Sequence, residues 1–188
     1  MTSHPDRSSW AQGARRSAAR DRILAIAGDV FAQHGADASM SEIAAAVGCS
    51  RATLYRHFDS RTALQLAYVE QIAFTIGAAV TNRTAHLTAP DDRLTEAILF
   101  ALTEVRADPA LSAWFSPAGA GLASELALSS SAIETLANRF VGDHGAAGVA
   151  AARWIVRVIV SLLVVPAGPD ERETIERFVT PAVLASFA

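Results

Sequence analysis

Apolar residues recur three or four positions apart along most of the chain, the spacing that places them on one face of an α-helix. No run of alternating apolar and polar residues, which would predict a β-strand, interrupts this pattern. Glycine and proline separate the helical segments, most clearly at 142–145 and 166–169. The pattern predicts an all-α protein of about nine helices, with three in an N-terminal domain and about six in a C-terminal bundle.

Three segments differ in this pattern. Residues 1–14 are polar and carry no apolar run, which predicts a flexible tail and is unlike a signal peptide. Residues 15–60 should form the three-helix domain, and residues 61–188 the bundle. The longest apolar stretch, 154–165, has about twelve residues, whereas a membrane-spanning helix needs about 20. We therefore expect a buried helix there and no membrane contact.

The segment 39–64 predicts two short helices around a tight turn, followed by the start of a third. Ser39 and Glu42 have the spacing of a capping box, which marks the start of the first short helix. Gly48 can adopt the positive φ that ends a helix, and Ser50 can cap the next one. The arrangement is typical of a helix-turn-helix.

The second short helix has one apolar and one polar side. Leu54 and Phe58 lie four positions apart, which predicts that both point into the core. The outward residues are hydrogen-bond donors or aromatics, namely Arg51, Thr53, Tyr55, Arg56 and His57. A helix-turn-helix protein presents such a surface to the major groove of DNA.

A longer pattern connects these residues to a known family. It reads Ile43-Ala44, Val47-Gly48-x-Ser50 and Thr53-Leu54-Tyr55-x-His57-Phe58-x-Ser60-x-x-x-Leu64. This pattern resembles the signature of the TetR family of bacterial one-component regulators. The resemblance covers roughly residues 18–64 and implies a homeodomain-like DNA-binding domain joined to an effector-binding and dimerising helical bundle.

The sequence departs from the family pattern at two positions. Cys49 replaces the usual valine, a small apolar exchange that should leave the turn unchanged. Arg61 replaces the usual lysine at the start of the fourth helix, and its charge preserves a contact with phosphate.

The predicted DNA contacts lie in the N-terminal domain. The resemblance implies phosphate contacts for Tyr55 and His57, whereas Thr53 can meet a thymine methyl group or a phosphate. The arginines at 15–22 fit either a solvated helix start or an arm that contacts phosphate or the minor groove. The predicted set is Arg20, Ser39, Met40, Ser50, Arg51, Thr53, Tyr55, Arg56, His57 and Arg61.

The charge distribution along the chain is consistent with DNA binding by the N-terminal part alone. The net charge is −3, but residues 1–61 carry eight arginines against six acidic residues. The remainder carries eight arginines against thirteen acidic residues, which leaves an acidic body. Such an asymmetry suits a protein that offers only one end to phosphates. The single cysteine excludes an intramolecular disulfide and is compatible with the reducing cytoplasm.

The resemblance implies an effector pocket within the bundle, mainly among helices four to seven. The candidates are aromatic and apolar residues at helical spacing, which are otherwise typical of a core, together with a few polar residues. They are Phe74, Phe100, Glu104, Arg106, Trp114, Phe115, Leu122 and Asn138. This mostly apolar set favours a small hydrophobic effector, whereas an inward-pointing Glu104 or Arg106 would indicate an ionised one.

The last two predicted helices are apolar on more than one face. They therefore lie either at the centre of their own bundle or against a second copy of the chain. The resemblance implies the second arrangement, a four-helix dimer interface. Candidate interface residues are Trp154, Val158, Leu162, Ile175 and Phe178. A two-fold dimer reads a palindromic site.

Together these patterns predict a cytoplasmic, ligand-responsive transcriptional regulator that binds double-stranded operator DNA as a homodimer. We expect a repressor, because the family consists mostly of repressors. Two alternatives remain, a DNA-binding protein without an effector and an enzyme with a helical body. No nucleophile–base pair, paired carboxylates or phosphate-binding loop stands out, and the five histidines lack metal-ligand spacing. We therefore expect no enzymatic activity, cofactor or metal.

Overall fold

The computed structural model describes residues 7–116, 119–142 and 144–186, with side chains from residue 11 onward. These residues form ten helices and no strand, which confirms the all-α prediction. The helices are α1 (Arg7–His34), α2 (Met40–Val47), α3 (Arg51–Tyr55), α4 (Arg61–Thr84), α5 (Pro90–Ala107), α6 (Pro109–Trp114), α7 (Ala120–Ser129), α8 (Ser131–Val141), α9 (Gly145–Val164) and α10 (171–185).

The helix-turn-helix forms as its capping residues predict. The Ser39 amide donates to Glu42 Oε2 at 2.7 Å, and the Glu42 amide donates to Ser39 Oγ at 3.2 Å, which completes the capping box. Gly48 ends α2 with a φ of 76°, a left-handed conformation that favours glycine. Ser50 Oγ then accepts the Thr53 amide at the start of α3. Each of these signals is local in sequence.

The first helix begins earlier than the sequence pattern predicts. We expected a flexible tail over residues 1–14, but α1 already begins at Arg7, and residues 1–6 lie outside the described part of the chain. Residues 12–18 are exposed, so no apolar stripe marks this part of the helix. Alanine and arginine favour helix without burial, and periodicity cannot detect that contribution.

The continuous helical pattern of residues 122–141 falls into two helices, α7 and α8. Ser130 separates α7 from α8 because its backbone is extended, with φ −77° and ψ 112°. Its hydroxyl accepts the Ile133 amide at 3.3 Å and caps α8. The count over the described residues is therefore ten helices and not nine, with seven of them after the helix-turn-helix.

Two helices of the described residues, α4 and α9, are long and apolar enough to cross a membrane by length and composition alone. The 20-residue α9 exceeds the stretch of about twelve that we counted from the sequence. It packs against α5, α7 and α8 and buries Ala152, Ile155 and Val156, as a core helix of a bundle does. We therefore interpret both as bundle helices.

Pro181 does not end the last helix. The helix passes from Glu171–Thr174 through a π-helical turn at Ile175–Val179 into Thr180–Ala185. A proline lacks the amide hydrogen, and its ring clashes with the carbonyl four residues earlier in a regular α-helix. The wider π turn accommodates Pro181 without a break. The apolar pattern of this helix extends to Phe187 in the sequence, but Phe187 lies outside the described residues.

One hydrophobic core extends across the predicted domain boundary at residue 60. It contains Phe31 of α1, Ile43 of α2 and Leu54 of α3, and it continues into Leu64 of α4 and Trp114 of α6. A second core joins α5, α8, α9 and α10. The DNA-binding end and the bundle are therefore packed directly against each other, mainly through α1, α4 and α6.

Candidate DNA-binding surface and ligand cavity

The exposed side of α3 collects the polar residues that we predicted to face outward. Leu54 and Phe58 are buried, as their spacing predicts. Tyr55 is 39% exposed, and Arg51 and Arg56 are exposed beside it. Thr53 and His57 are half-buried on the same short helix and the turn that follows. The surface offers guanidinium groups, hydroxyls and an imidazole within a few residues, all able to donate to phosphate or to base edges.

Several predicted DNA contacts also hold the domain together. The hydroxyls of Ser39 and Ser50 cap α2 and α3, and Ser50 Oγ lies 3.0 Å from Thr53 Oγ1. Arg61 is exposed, and its Nη1 donates to the Asp37 carbonyl at 3.2 Å. These bonds leave part of each polar group free for a second partner.

Met40 is a correction to the predicted set. It is 5% exposed and belongs to the core of the N-terminal domain, because it lies on the apolar face that α2 turns inward. Its side chain therefore cannot reach DNA. Only its backbone N–H remains available to an anion, because the N–H groups in the first turn of a helix have no acceptor within the helix.

Arg20 has protein partners that the sequence did not indicate. Its Nη1 donates to the His57 carbonyl at 2.9 Å, and its guanidinium carbon lies 4.2 Å from the centre of the Phe58 ring. Arg16 makes a longer bond to the Arg56 carbonyl, at 3.4 Å. Arg20 thus connects α1 to the C-terminal end of α3, where it positions the recognition surface. Its predicted role as a DNA contact stays a prediction.

A cavity of about 160 Å³ lies between α4 and α9 inside the bundle. Among the described residues, every lining side chain is apolar except the indole of Trp114. The lining residues are Val69, Ile72, Ala73, Ile76, Gly77, Val80, Leu94, Ala97, Ile98, Ala101, Val105, Leu111, Trp114, Phe115, Ala123, Ala127, Ile133, Leu136, Ala137, Phe140, Ile155, Val156, Ile159, Val160 and Leu163.

The structure places only two of the eight predicted ligand residues, Trp114 and Phe115, in this wall. Phe74 is 55% exposed, so it faces away from the bundle. Phe100 is half-buried beneath the guanidinium of Arg83, 5.9 Å from its ring centre. Leu122, also outside the lining, packs against the first core.

The polar candidates are also absent from the described lining. Arg106 donates to both carboxylate oxygens of Glu171, at 2.8 and 2.7 Å, and to the Leu162 carbonyl. This pair holds the pKa of Glu171 below and that of Arg106 above its ordinary value. Glu104 is half-buried on the same helix, α5, and does not line the cavity. Arg106 therefore joins α5 to α9 and α10.

Asn138 lies near the turn between α8 and α9. Its Oδ1 is buried and has no hydrogen-bond partner among the described residues. A Cβ atom added to Gly148 would lie 3.3 Å from this oxygen, so the amide packs closely against the start of α9. The residue is therefore part of a helix contact and is not placed in the cavity wall.

The aliphatic and small residues that form most of the wall were not predicted from the sequence. Gly77 lets Leu136 of α8 approach α4 closely, because an added Cβ would lie 2.6 Å from Leu136 Cδ2. Ala73, Ala97 and Ala101 line the same cavity from α4 and α5. A helical face of alanine and glycine leaves space that larger side chains would fill, but its periodicity is the same as that of a filled core.

An aromatic cluster connects the cavity wall to the DNA-binding domain. Trp114 lies 4.8 Å from Phe31 and 5.8 Å from Tyr68, measured between ring centres, and Phe31 lies 5.3 Å from Tyr68. The Tyr68 hydroxyl donates weakly to Asp108, which caps α6, at 3.5 Å. Burial and this carboxylate raise the pKa of Tyr68 well above its ordinary value. Helices α1, α4 and α6 therefore meet at one point.

The outer faces of α9 and α10 expose large apolar side chains. Trp154 is 50% exposed and Phe178 is 67% exposed, and Val158 is half-buried on the same helix as Trp154. Leu162 and Ile175, also predicted to form a dimer interface, are 9% and 0% exposed. Both belong to the second core, because they lie on the inward faces of their helices.

Known proteins resemble both the N-terminal domain and the whole chain. Residues 23–68 match the sequence model of the bacterial regulatory proteins of the tetR family. An uncharacterized HTH-type transcriptional regulator of Mycobacterium tuberculosis, from strains CDC 1551 and H37Rv, is 40% identical over 186 residues. That alignment covers 95% of this chain and 92% of the relative.

Solved structures share the fold at lower identity. RolR in complex with resorcinol superposes with a TM-score of 0.69 at 17% identity, over 94% of this chain and 90% of RolR. The TetR family repressor AlkX from Dietzia sp. strain DQ12-45-1b, implicated in the biodegradation of n-alkanes, has a TM-score of 0.60 at 20% identity. This superposition covers 88% of this chain and 95% of AlkX. With its helix-turn-helix, its helical bundle and a full-length relative, the chain belongs to the TetR family of bacterial transcriptional regulators.

Proposed function

We propose that this transcriptional regulator is a cytoplasmic repressor that binds a palindromic operator as a homodimer and is released by a small hydrophobic effector. The observation that carries the proposal is the position of Trp114. This residue lines the apolar cavity and also packs against Phe31 of the DNA-binding domain. The Trp114 side chain thus contacts both the candidate effector cavity and the core that supports α3.

The DNA-binding part of the proposal rests on α3 and its supports. Arg51, Tyr55 and Arg56 are exposed together, while Leu54 and Phe58 fix the helix in the core. The arginines can pair with phosphates or guanine edges, and Tyr55 can donate to a phosphate. A helix presented in this way fits the major groove.

The dimer part rests on the exposed apolar face of α9 and α10. Trp154 on α9 and Phe178 on α10 are large apolar side chains that water contacts in a single chain. Burying large aromatic side chains is a strong driving force for association. A two-fold axis at this face would present two copies of α3, which explains why we expect a palindromic operator.

Release of the operator is explained by the contacts that α4 and α6 make with both the cavity and α1. An effector that enters the cavity presses on α4 and α6, and both helices touch α1 through Tyr68 and Trp114. A displacement of α1 reaches the end of α3 through the bond from Arg20 to the His57 carbonyl. An effector that prefers the displaced arrangement lowers operator affinity, typically by about 1–3 kcal/mol of coupling.

The alternatives account for fewer of these features. A DNA-binding protein without an effector needs no cavity, and a bundle with a cavity of about 160 Å³ is less stable than a filled one. RolR, which has the same fold, holds resorcinol. An enzyme needs acid–base or nucleophilic groups at its site, and the described cavity lining contains none.

The experiment that tests the proposal is selection of bound sequences from a random pool of duplex DNA by the purified full-length protein. We expect a two-fold symmetric sequence to be enriched, with two chains bound per site. Recovery of unrelated sequences, or of a site without symmetry, would contradict the repressor proposal. A fragment from upstream of the protein's own gene serves as an independent target, with random DNA as competitor.

A further inference from the structure

We propose that the effector is an uncharged, hydrocarbon-like molecule about the size of one six-membered ring, held without any hydrogen bond or ion pair. This inference rests on the proposed function and narrows the ligand class of the same cavity. It is carried by three observations, namely the chemistry of the wall, the position of the neighbouring polar groups and the volume.

The wall offers no polar group to a ligand. Its one polar side-chain atom in the described lining, Trp114 Nε1, is buried and has no hydrogen-bond partner among the described residues. The indole N–H therefore lies behind the wall and does not open into the cavity. A ligand hydroxyl here would lose its hydrogen bonds to water with no replacement, which disfavours binding.

An ionised ligand is disfavoured more strongly. The two charged candidates on α5, Glu104 and Arg106, do not line the cavity, and Arg106 is already held by Glu171 and the Leu162 carbonyl. A carboxylate or an ammonium group would be buried among alkyl and aromatic side chains without a counter-ion. The wall thus selects against charge.

The volume sets the size of the ligand. At about 160 Å³ the cavity matches a known engineered cavity of about 150 Å³, lined by leucine, isoleucine and phenylalanine, that stays dry and binds benzene. The small side chains of Ala73 and Ala101 border this space on α4 and α5. A single ring with one or two additional carbons fits this space.

The test measures binding of three one-ring probes to the full-length protein by titration calorimetry in the absence of DNA. Toluene is the neutral probe, benzoate adds a carboxylate, and resorcinol adds two hydroxyls. We expect one saturable toluene site per chain, with benzoate and resorcinol bound at least about tenfold more weakly. Equal affinity for benzoate or resorcinol, or no saturable toluene binding up to its solubility, would overturn the inference.

Matched variants locate the bound probe. Ala73→Leu and Ala101→Leu each add bulk to the cavity wall, and we expect each to weaken toluene binding at least about tenfold. Ala78→Leu is the control, because Ala78 is exposed on α4 and does not line the cavity. Toluene binding that neither wall variant weakens would place the probe elsewhere and refute the assignment. Circular dichroism verifies that each variant is folded.

The outcomes separate this inference from the proposed function. Toluene binding is measured in the absence of operator DNA. A failure to bind toluene would therefore refute the ligand class without affecting the result of operator selection. Conversely, toluene binding in this cavity without selection of a symmetric DNA site would support the proposed ligand class and refute the repressor proposal.

Discussion

At the scale of single residues, the recognition surface depends on side chains that support it from behind. Arg20 of α1 donates a hydrogen bond to the His57 carbonyl, just after the end of α3. The Phe58 ring packs beneath the Arg20 guanidinium. The sequence could not indicate this bond, because the partner is a backbone carbonyl 37 positions away. Local signals such as the Ser39–Glu42 capping box were predictable, because both partners lie within one helical turn.

Arg20→Ala should lower both stability and DNA affinity. The substitution removes the bond to the His57 carbonyl and the contact with the Phe58 ring, a loss of about 1–2 kcal/mol in the free energy of unfolding. Urea unfolding and fluorescence anisotropy with operator DNA measure the two effects. Arg93→Ala is the control, because Arg93 is exposed on α5, outside the N-terminal domain. A loss of DNA affinity at unchanged stability would show that Arg20 acts as a direct DNA contact.

Tyr55→Ala should weaken binding to operator and random DNA by similar factors. Tyr55 is 39% exposed on α3, and a phosphate contact carries no sequence information. The free energy of unfolding should change little, because the core residue Leu54 remains in place. Competition titrations with both DNA types measure the ratio. A loss confined to the operator would instead assign Tyr55 to a base.

The ion pair between Arg106 and Glu171 predicts a specific dependence of stability on pH. The guanidinium lowers the pKa of Glu171 below its ordinary value of 4.5, so the pair stabilises the fold fully above that pH. The stabilisation disappears as the pH falls below 4.5 and the carboxylate is protonated. Arg106→Gln should remove this part of the acid dependence in thermal melts between pH 7 and pH 3. Identical acid profiles for both proteins would contradict the assignment.

At the scale of helices, small irregularities decide which side chains face outward. The break at Ser130 was not predictable from glycine or proline, because a serine cap with extended backbone replaces them. The π turn before Pro181 likewise carries Phe178 to the exposed side of α10 while Ile175 and Val179 remain buried. The family resemblance implied Ile175 as an interface residue, whereas the helix turns this side chain into the second core.

Pro181→Ala should weaken dimerisation without unfolding the helix. An alanine at position 181 restores the backbone amide hydrogen, so the π turn can relax to a regular α-helix. The helical residues before the turn would then rotate by about 100° relative to the residues after the turn. Phe178 would then leave its present face. Analytical ultracentrifugation should show a dimer at least about tenfold weaker, with unchanged helix content. Pro166→Ala, outside any helix, is the control, and equal dimer affinity in both variants would contradict the prediction.

At the scale of the whole molecule, the DNA-binding end and the cavity share one hydrophobic core. Sequence patterns predicted the all-α architecture and the helix-turn-helix, because helical periodicity and caps are local. They could not separate cavity-lining residues from core residues, since both are apolar at the same spacing. Phe74 and Trp114 show the difference, because one is 55% exposed and the other is fully buried beside the cavity.

The most direct test of the coupling is the operator affinity of the wild-type protein with and without saturating toluene, measured by fluorescence anisotropy. We expect toluene to weaken operator binding by a factor of about 5–150, and operator DNA to weaken toluene binding by the same factor. Operator affinity that stays the same while toluene occupies the cavity would contradict the coupling through Trp114 and Phe31.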